Sequence, residues 1–220
     1  MDGTPCDSGS VKLAIGVPLS WTHAPADFTF SLQMLRKPPG TEIVRASSGP
    51  IDEMRNLIVL RALEMDCTHV LFLDADMTFP EDTIFRLLSH GLPIVAGLMF
   101  KRRPPFDPLV MVGERHRLQV LYDYKPGLNR VTATGTGCLL IDARVFDDMP
   151  YPWFRFGTTD DGAPIGEDVR FCYAAQDAGY PIYVDADVKT EHLTTLRVGE
   201  DTHKIFRALA SKGLDLFGSA

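Results

Sequence analysis

Residues 69 to 82 read His-Val-Leu-Phe-Leu-Asp-Ala-Asp-Met-Thr-Phe-Pro-Glu-Asp, an apolar run that stops on two carboxylates one residue apart. A short apolar run bounded in this way predicts a buried strand. Side chains alternate along a strand, which predicts that Asp74 and Asp76 point to the same side. Two neighbouring carboxylates at a strand end repel each other and lose hydration. A hard divalent cation relieves both costs, because it takes carboxylate oxygens as ligands. The pair therefore predicts a metal site at the edge of a sheet. A competing reading makes both acids helix caps. It has less to explain, because Pro80, Glu81 and Asp82 already supply a helix start.

The segments around this run alternate in the same manner. Val11 to Val17 predicts a first strand ended by Pro18, and Ala26 to Lys37 a helix stopped by Pro38-Pro39-Gly40. Thr41 to Ala46 predicts a second strand. Ser-Ser-Gly-Pro then leads into a helix over Ile51 to Met65, whose Met54, Leu57, Ile58, Ala62 and Met65 follow helical spacing. After the Asp74 strand come a helix over Glu81 to His90, closed by Gly91, and another apolar run, Leu92 to Phe100. Strand and helix alternating three times predict an α/β fold with a mostly parallel sheet covered by helices. Ligands of such sheets bind beyond the carboxyl ends of the strands, where Asp74 and Asp76 fall.

Beyond residue 100 the pattern changes. Lys101-Arg102-Arg103-Pro104-Pro105 is a basic, proline-rich loop, and residues 106 to 141 hold short apolar runs split by Gly and Pro, which predict antiparallel strands. Residues 150 to 165 predict a mobile loop rich in aromatics. Gly166-Glu167-Asp168 opens a helix that runs to Ala178 and closes at Gly179. Two short strands are expected at Pro181 to Val184 and Val188 to His192, and an amphipathic helix at about Asp201 to Lys212.

The chain has 220 residues and a formal charge of −7, enough length for one domain and the wrong sign for a non-specific nucleic-acid binder. The four cysteines, Cys6, Cys67, Cys138 and Cys172, form no Cys-x-x-Cys pair and predict reduced thiols. The polar N-terminus lacks the apolar core of a signal peptide, and no run approaches the roughly 20 apolar residues of a membrane span. The expectation is a cytoplasmic protein with residues 1 to 10 disordered.

In this order, Asp-Ala-Asp, then Gly-Thr-Gly-Cys-Leu-Leu-Ile, then Gly-Glu-Asp at a helix start, then a later His, the chain resembles GT-A-fold glycosyltransferases. The likeness is to glycosyltransferase family 2 and its small bacterial and phage relatives, over residues 11 to 195. It implies one domain over 11 to 215, with a nucleotide-binding half (11–100), an acceptor half (101–195) and a C-terminal helix (200–215). It implies a nucleotide-sugar donor, UDP-sugar before GDP-sugar, and Mn²⁺ or Mg²⁺. Asp74, Asp76 and His192 match the metal-site positions, with Asp74 also near the ribose. Pro18 matches the edge of the base site. Asp52, Arg55 and Asn56 fall on the helix expected beside the nucleotide. Gly135, Thr136 and Gly137 match the turn facing donor and acceptor, and Glu167 and Asp168 the acidic pair on the acceptor side, with Asp168 as base. An acceptor glycan, a protein side chain or a hydroxymethylated DNA base would each provide the hydroxyl.

These roles have physical reasons. Sugar transfer expels a diphosphate, and a divalent ion stabilises the charge that builds on it. Neutral imidazole suits Mn²⁺-like metals. A helix N-terminus stabilises the ionised form of Asp168 and weakens it as a base, which burial against Trp153, Phe154 or Phe156 would reverse. Lys101, Arg102 and Arg103 suit a diphosphate or a solvated loop, and the ring-rich stretch Tyr151 to Phe156 suits a sugar, a lid or the core. Asp185-Ala186-Asp187 repeats the first tripeptide but lacks a long apolar run before it, and reads as a solvated turn.

Three rivals use parts of the same pattern. Asp74-Ala75-Asp76-Met77-Thr78 also fits a haloacid-dehalogenase-type phosphatase with Asp74 as nucleophile. That motif follows a first strand, however, and two strand-helix units precede it here. A nucleotidyltransferase would carry a glycine-rich loop after the first strand, where Val17-Pro18-Leu19-Ser20 has none. A non-catalytic nucleotide-sugar binding module would have no need of Asp168.

Overall fold

The computed structural model describes residues 11–20, 22–159 and 162–214. The expected disorder of residues 1 to 10, and Cys6 with it, lie outside them. The alternating half folds as β1 (Leu13–Leu19), α1 (Ala26–Met34), β2 (Glu42–Ser47), α2 (Ile51–Glu64), β3 (His69–Leu73), a two-residue β4 (Met77–Thr78), α3 (Thr83–Ser89) and β5 (Ile94–Leu98). β1, β3 and β5 are apolar runs, and β3 ends where Asp74 interrupts it, whereas β2 alternates buried Val44 and Ala46 with exposed Arg45 and Ser47. Gly91 and Gly179 adopt φ of 59° and 90°, the left-handed conformation that lets a chain leave a helix sharply, as the sequence predicts.

The second half supplies β6 (Met111–Glu114), β7 (Arg117–Val120), β8 (Leu128–Val131), β9 (Cys138–Asp142), α4 (Arg144–Asp147), β10 (Gly157–Thr158), β11 (Pro164–Ile165), α5 (Glu167–Asp177), β12 (Ile182–Lys189), β13 (Glu191–His192) and α6 (Glu200–Ala210). No side chain of α6 is buried. The main sheet has seven strands in the order β2-β1-β3-β9-β5-β12-β8. β1 is parallel to β2 and β3, and β12 is parallel to β5. β9 runs antiparallel between β3 and β5, and β8 antiparallel along β12. Five of the seven strands thus point one way, the mostly parallel sheet the alternation predicts.

The inserted β9 has a consequence for the site. Because it runs against its neighbours, its amino end lies beside the carboxyl end of β3: Leu73 pairs with Cys138, and the Asp74 amide donates to the Gly137 carbonyl at 3.0 Å. Residue 100 is therefore no break in the sheet, since a strand from the second half lies between two from the first.

α2 packs on β1 and β2. Contact with β1 is close enough that a Cβ on Gly16 would lie 2.5 Å from the Ile58 side chain. Phe72 of β3, Phe154 and Phe171 of α5 form one aromatic cluster, with Phe154 stacked on Phe171 at 4.5 Å and Phe72 edge-on to Phe154 at 5.3 Å. Cys67, Cys138 and Cys172 are free and buried. Burial pushes the Cys138 and Cys172 thiols up to about 12, so they pack as small apolar groups.

Four local expectations are corrected. α3 begins at Thr83 rather than Glu81; the Thr83 amide and hydroxyl both bond the Pro80 carbonyl, and Pro80 to Asp82 form the turn before it. β1 continues through Pro18, which pairs with Ala46 of β2 beyond the last residue paired with β3, where a missing N–H is tolerated. Residues 150 to 165 are not uniformly a mobile loop. Trp153 and Phe154 are core residues, and the Trp153 indole donates to the Phe146 and Met149 carbonyls. Asp185-Ala186-Asp187 is not a solvated turn between two strands: it lies within β12, at an irregularity in the pairing with β5, with Asp185 buried and bonded to His90.

Candidate active site

A cleft of about 530 Å³ opens at the carboxyl ends of β1 and β3 and the amino end of β9. Ten of the twelve residues singled out in the sequence line it. Pro18 comes from the end of β1, Arg55 from α2, Asp74 and Asp76 from the turn after β3. Gly135, Thr136 and Gly137 come from the approach to β9, Glu167 and Asp168 from the first turn of α5, and His192 from β13. The other two turn elsewhere. Asn56 is buried, its amide donating to the Phe154 carbonyl at 2.7 Å and its oxygen accepting from the Phe154 amide at 3.0 Å. It pins the aromatic loop to α2. Asp52 lines a separate depression with Tyr151 and Arg155.

Asp74 and Asp76 do face one cavity, but not by strand alternation. β3 ends at Leu73, and both acids stand in the turn between β3 and β4. Arg55 Nη2 donates to Asp74 Oδ1 at 2.9 Å, and its Nε to Glu167 Oε1 at 3.4 Å. The guanidinium also lies 5.2 Å from the Phe72 ring centre. It thereby ties the two acidic walls of the cleft together. Its third nitrogen, Nη1, is buried without a hydrogen-bond partner among the described residues, an uncompensated donor in the wall. Asp74 fits closely over Gly137. A Cβ there would lie 3.0 Å from Asp74 Oδ2 and 2.5 Å from Met77 Sδ.

His192 reaches Asp76 through a strand pairing that local sequence does not reveal. β13 pairs antiparallel with β4, so His192 faces Met77, and the Leu193 amide donates to the Asp76 carbonyl at 2.7 Å. Its Nε2 then lies 3.4 Å from Asp76 Oδ1. Its Nδ1 lies 2.7 Å from the Phe100 carbonyl, an obligate acceptor, so Nδ1 carries the proton. Nε2 must either take a second proton or offer a lone pair to a cation shared with the carboxylate. Burial lowers the His192 imidazole, but the bonds to Asp76 and Phe100 outweigh it and raise it. Burial raises Asp76 in turn, and His192 and Arg102 outweigh that, leaving it below the ordinary aspartate range.

Arg102 completes this wall. Its Nη1 donates to Asp76 Oδ2 at 2.6 Å. The sequence marks residues 101 to 103 as basic but does not separate them. Lys101 pairs with Asp107 at 3.3 Å, and only Arg102 lines this cleft.

On the facing wall, burial raises Asp168 above the usual carboxylate range, with the Asp74 charge adding to the rise. The Val169 amide and Arg55 oppose it. Burial also raises Glu167, with the Asp168 charge adding to it and Arg55 opposing. The Val169 amide donates to Asp168 Oδ1 at 2.7 Å, which fixes the side chain and leaves Oδ2 for another proton partner.

Among the described residues no three of His, Cys, Asp and Glu form a ready-made cage for a metal ion. Asp74 in particular is held by Arg55 rather than grouped with Asp76 and His192. The donor set nevertheless suits a divalent ion that keeps open positions. Asp76 supplies a hard oxygen and His192 an oriented nitrogen. Four carboxylates against two guanidiniums leave an excess of negative charge in the cleft.

No family model matches the sequence, and no curated protein does. Solved structures do resemble the fold. A197 from STIV superposes with a TM-score of 0.58 at 18% identity, over 84% of this chain and 87% of its own. GalNAc-T7 with UDP, GalNAc and Mn²⁺ superposes at 0.61 and 10% identity, over 87% of this chain and 45% of that one. S. aureus TarS 1–349 in complex with UDP-GlcNAc superposes at 0.52 and 16% identity, over 95% of this chain and 68% of that one. The chain has a GT-A-type α/β fold.

Proposed function

We propose that this chain is a divalent-metal-dependent glycosyltransferase. It would move a sugar from a nucleotide-sugar donor, a UDP-sugar before a GDP-sugar, to a hydroxyl acceptor with inversion at the anomeric carbon. The observation that carries this reading is the single cleft. It sets Asp76 with His192 on one wall and the raised carboxyl of Asp168 on the other, with Arg55 strung between them. The solved relatives holding UDP with Mn²⁺, and UDP-GlcNAc, support the donor class.

Asp76 and His192 are the residues that would hold Mn²⁺ or Mg²⁺. When bound, the ion supplies Lewis-acid stabilisation of the charge on the departing diphosphate. Arg55 and Arg102 add fixed and movable positive charge on the same side. The glycine-flanked Thr136 borders the donor sugar, and Pro18 the base. Asp168 Oδ2 takes the proton of the acceptor hydroxyl. The freed oxygen bonds to the anomeric carbon while the sugar–phosphate bond breaks, its electron pair leaving with the diphosphate. A carboxyl raised by burial suits this step, since a base closer to neutral pH removes a hydroxyl proton more readily. Glu167 holds Arg55 beside it. A glycan, a protein side chain or a hydroxymethylated DNA base would each provide such a hydroxyl.

The test is a thermal-shift panel of nucleotide sugars with and without Mn²⁺, followed by product analysis. The expected result is stabilisation by UDP-sugars that needs the metal. A panel with no nucleotide preference, together with release of inorganic phosphate from simple phosphate esters, would return the reading to the phosphatase. Donor binding without any turnover would leave a binding module.

A further inference from the structure

Arg102 is joined to the very carboxylate that a metal would need. The backbone around it is pinned on all sides. Phe100 accepts from His192 at 2.7 Å, the Lys101 amide donates to Asp107 at 2.8 Å, and the Arg102 carbonyl accepts from Thr194 at 3.3 Å. The side chain is the free part. It is 54% exposed, whereas the Asp76 side chain it covers is 15% exposed. A long cation anchored at its base and solvated along its length can swing without disturbing the fold.

We infer that Arg102 is an exchangeable counter-cation. In the absence of ligands its guanidinium neutralises Asp76. A divalent ion arriving at Asp76 and His192 meets that positive charge and displaces it, and the released guanidinium then closes on the nucleoside diphosphate. The inference rests on the glycosyltransferase reading and deepens it, because it makes metal and donor bind cooperatively. Two cations on one carboxylate repel each other. Once a diphosphate brings its own negative charge, both have a partner and the repulsion ends. Arg102 thus weakens metal binding alone and strengthens it with donor present. Reciprocity requires the same factor in the effect of metal on donor. Arg103, one residue on, lines only the depression next to the cleft, near Asp76, while the ion pair to Asp76 is made by Arg102, so it serves as the control for nearby charge without that pair.

The experiment measures Mn²⁺ binding to the full chain by calorimetry and by loss of the free-ion EPR signal, with and without UDP. For Arg102→Ala, Mn²⁺ alone should bind about threefold to tenfold tighter, the order expected for one partly exposed ion pair. UDP in saturating Mn²⁺ should bind weaker by a similar factor, and Arg103→Ala should change neither. Arg102→Lys, which keeps the charge but loses the planar fork, should fall between wild type and Arg102→Ala. Mn²⁺ affinity that depends on Asp76 but is unchanged or weakened by Arg102→Ala overturns the inference and leaves the reading of the site intact. Mn²⁺ binding indifferent to Asp76→Ala, or absent from the wild type even with UDP, overturns both.

Discussion

Asp74-Ala75-Asp76 and Asp185-Ala186-Asp187 are the same three residues in two settings, and each has drawn a histidine and an arginine, the first with Arg55 on Asp74 besides. The first meets His192 and Arg102, the second His90 and Arg86. Their fates differ because of where the strand stops. β3 ends before Asp74, so the first copy is a turn at the mouth of a cleft. β12 continues past the second, bulging in its pairing with β5 there, so Asp185 is 2% exposed and His90 caps it at 2.9 Å. Composition is the same and the partner types are similar, though in the first copy Asp76 alone holds both its histidine and Arg102 while in the second they fall on different aspartates. Position relative to the sheet edge turns one into a candidate reaction site and the other into a structural pair.

The widest expected separation is in activity. Asp76→Ala should reduce metal-dependent transfer by about 100-fold or more, as loss of a metal-anchoring group does, while Asp187→Ala leaves it at wild-type level. Equal loss in steady-state assays would erase the distinction between the copies. The opposite wall sharpens it. Asp168→Asn should cut transfer by about 100-fold or more, in the range of a lost general base, and spare UDP binding. Asp168 is raised by burial, so folding favours its protonated form, and its ionisation costs stability as pH climbs through the raised value. The neutral amide should therefore raise Tm at neutral pH, on the order of 2 °C. Unchanged transfer would reduce Asp168 to a helix-start residue.

For the second copy the effect should appear in stability alone. Asp185→Ala leaves the His90 donor partly buried and unpaired, and should cost about 1–3 kcal/mol in denaturant unfolding with activity per folded molecule retained. Smaller still is the pH signature of the first copy. His192 is raised in the folded protein, so its bond contributes stability below the ordinary histidine range and loses it as pH rises through the raised value. Asp76 is lowered, so its share is present above the ordinary aspartate range and is lost as pH falls through the depressed value. The Tm gap between wild type and His192→Ala should thus be widest between about pH 4.5 and 6 and shrink toward pH 8. A gap that grows with pH contradicts the assigned pair. Asp187→Ala, at a side chain 46% exposed, should move stability by no more than about 0.5 kcal/mol.

What the sequence disclosed, and what it hid, divides along the same line. β1, β2, β3 and β5 and α1 to α3 were legible because each is a local period bounded by its own stop signal, whereas the two-residue β4 has no period to read. Their order implied the parallel sheet and a ligand edge at Asp74. The insertion of β9 between β3 and β5 was hidden, since a five-residue apolar run carries no mark of its partners. The pairing of β13 with β4 was hidden for the same reason, and it is what brings His192 to Asp76. Asp185 misled because a tripeptide shared with a turn suggested another turn. The flanking Val184 and Val188, both fully buried, were the available sign of a continuous strand. Asn56 was placed on the right helix but on the face that grips Phe154, and nothing in its spacing distinguishes the two. Arg102 was visible only as one of three basic residues, because pairing with Asp76 depends on a loop geometry fixed by His192, Asp107 and Thr194.

Residue 137 carries a last consequence. Its hydrogen leaves room for the oxygen of Asp74, so the acidic site is shaped in part by a methyl group that is missing. Saturation of this codon should return glycine alone among functional clones, and alanine would test whether the carboxylate yields or the strand does. A position with no side chain to offer a substrate would then be as intolerant of change as one that has.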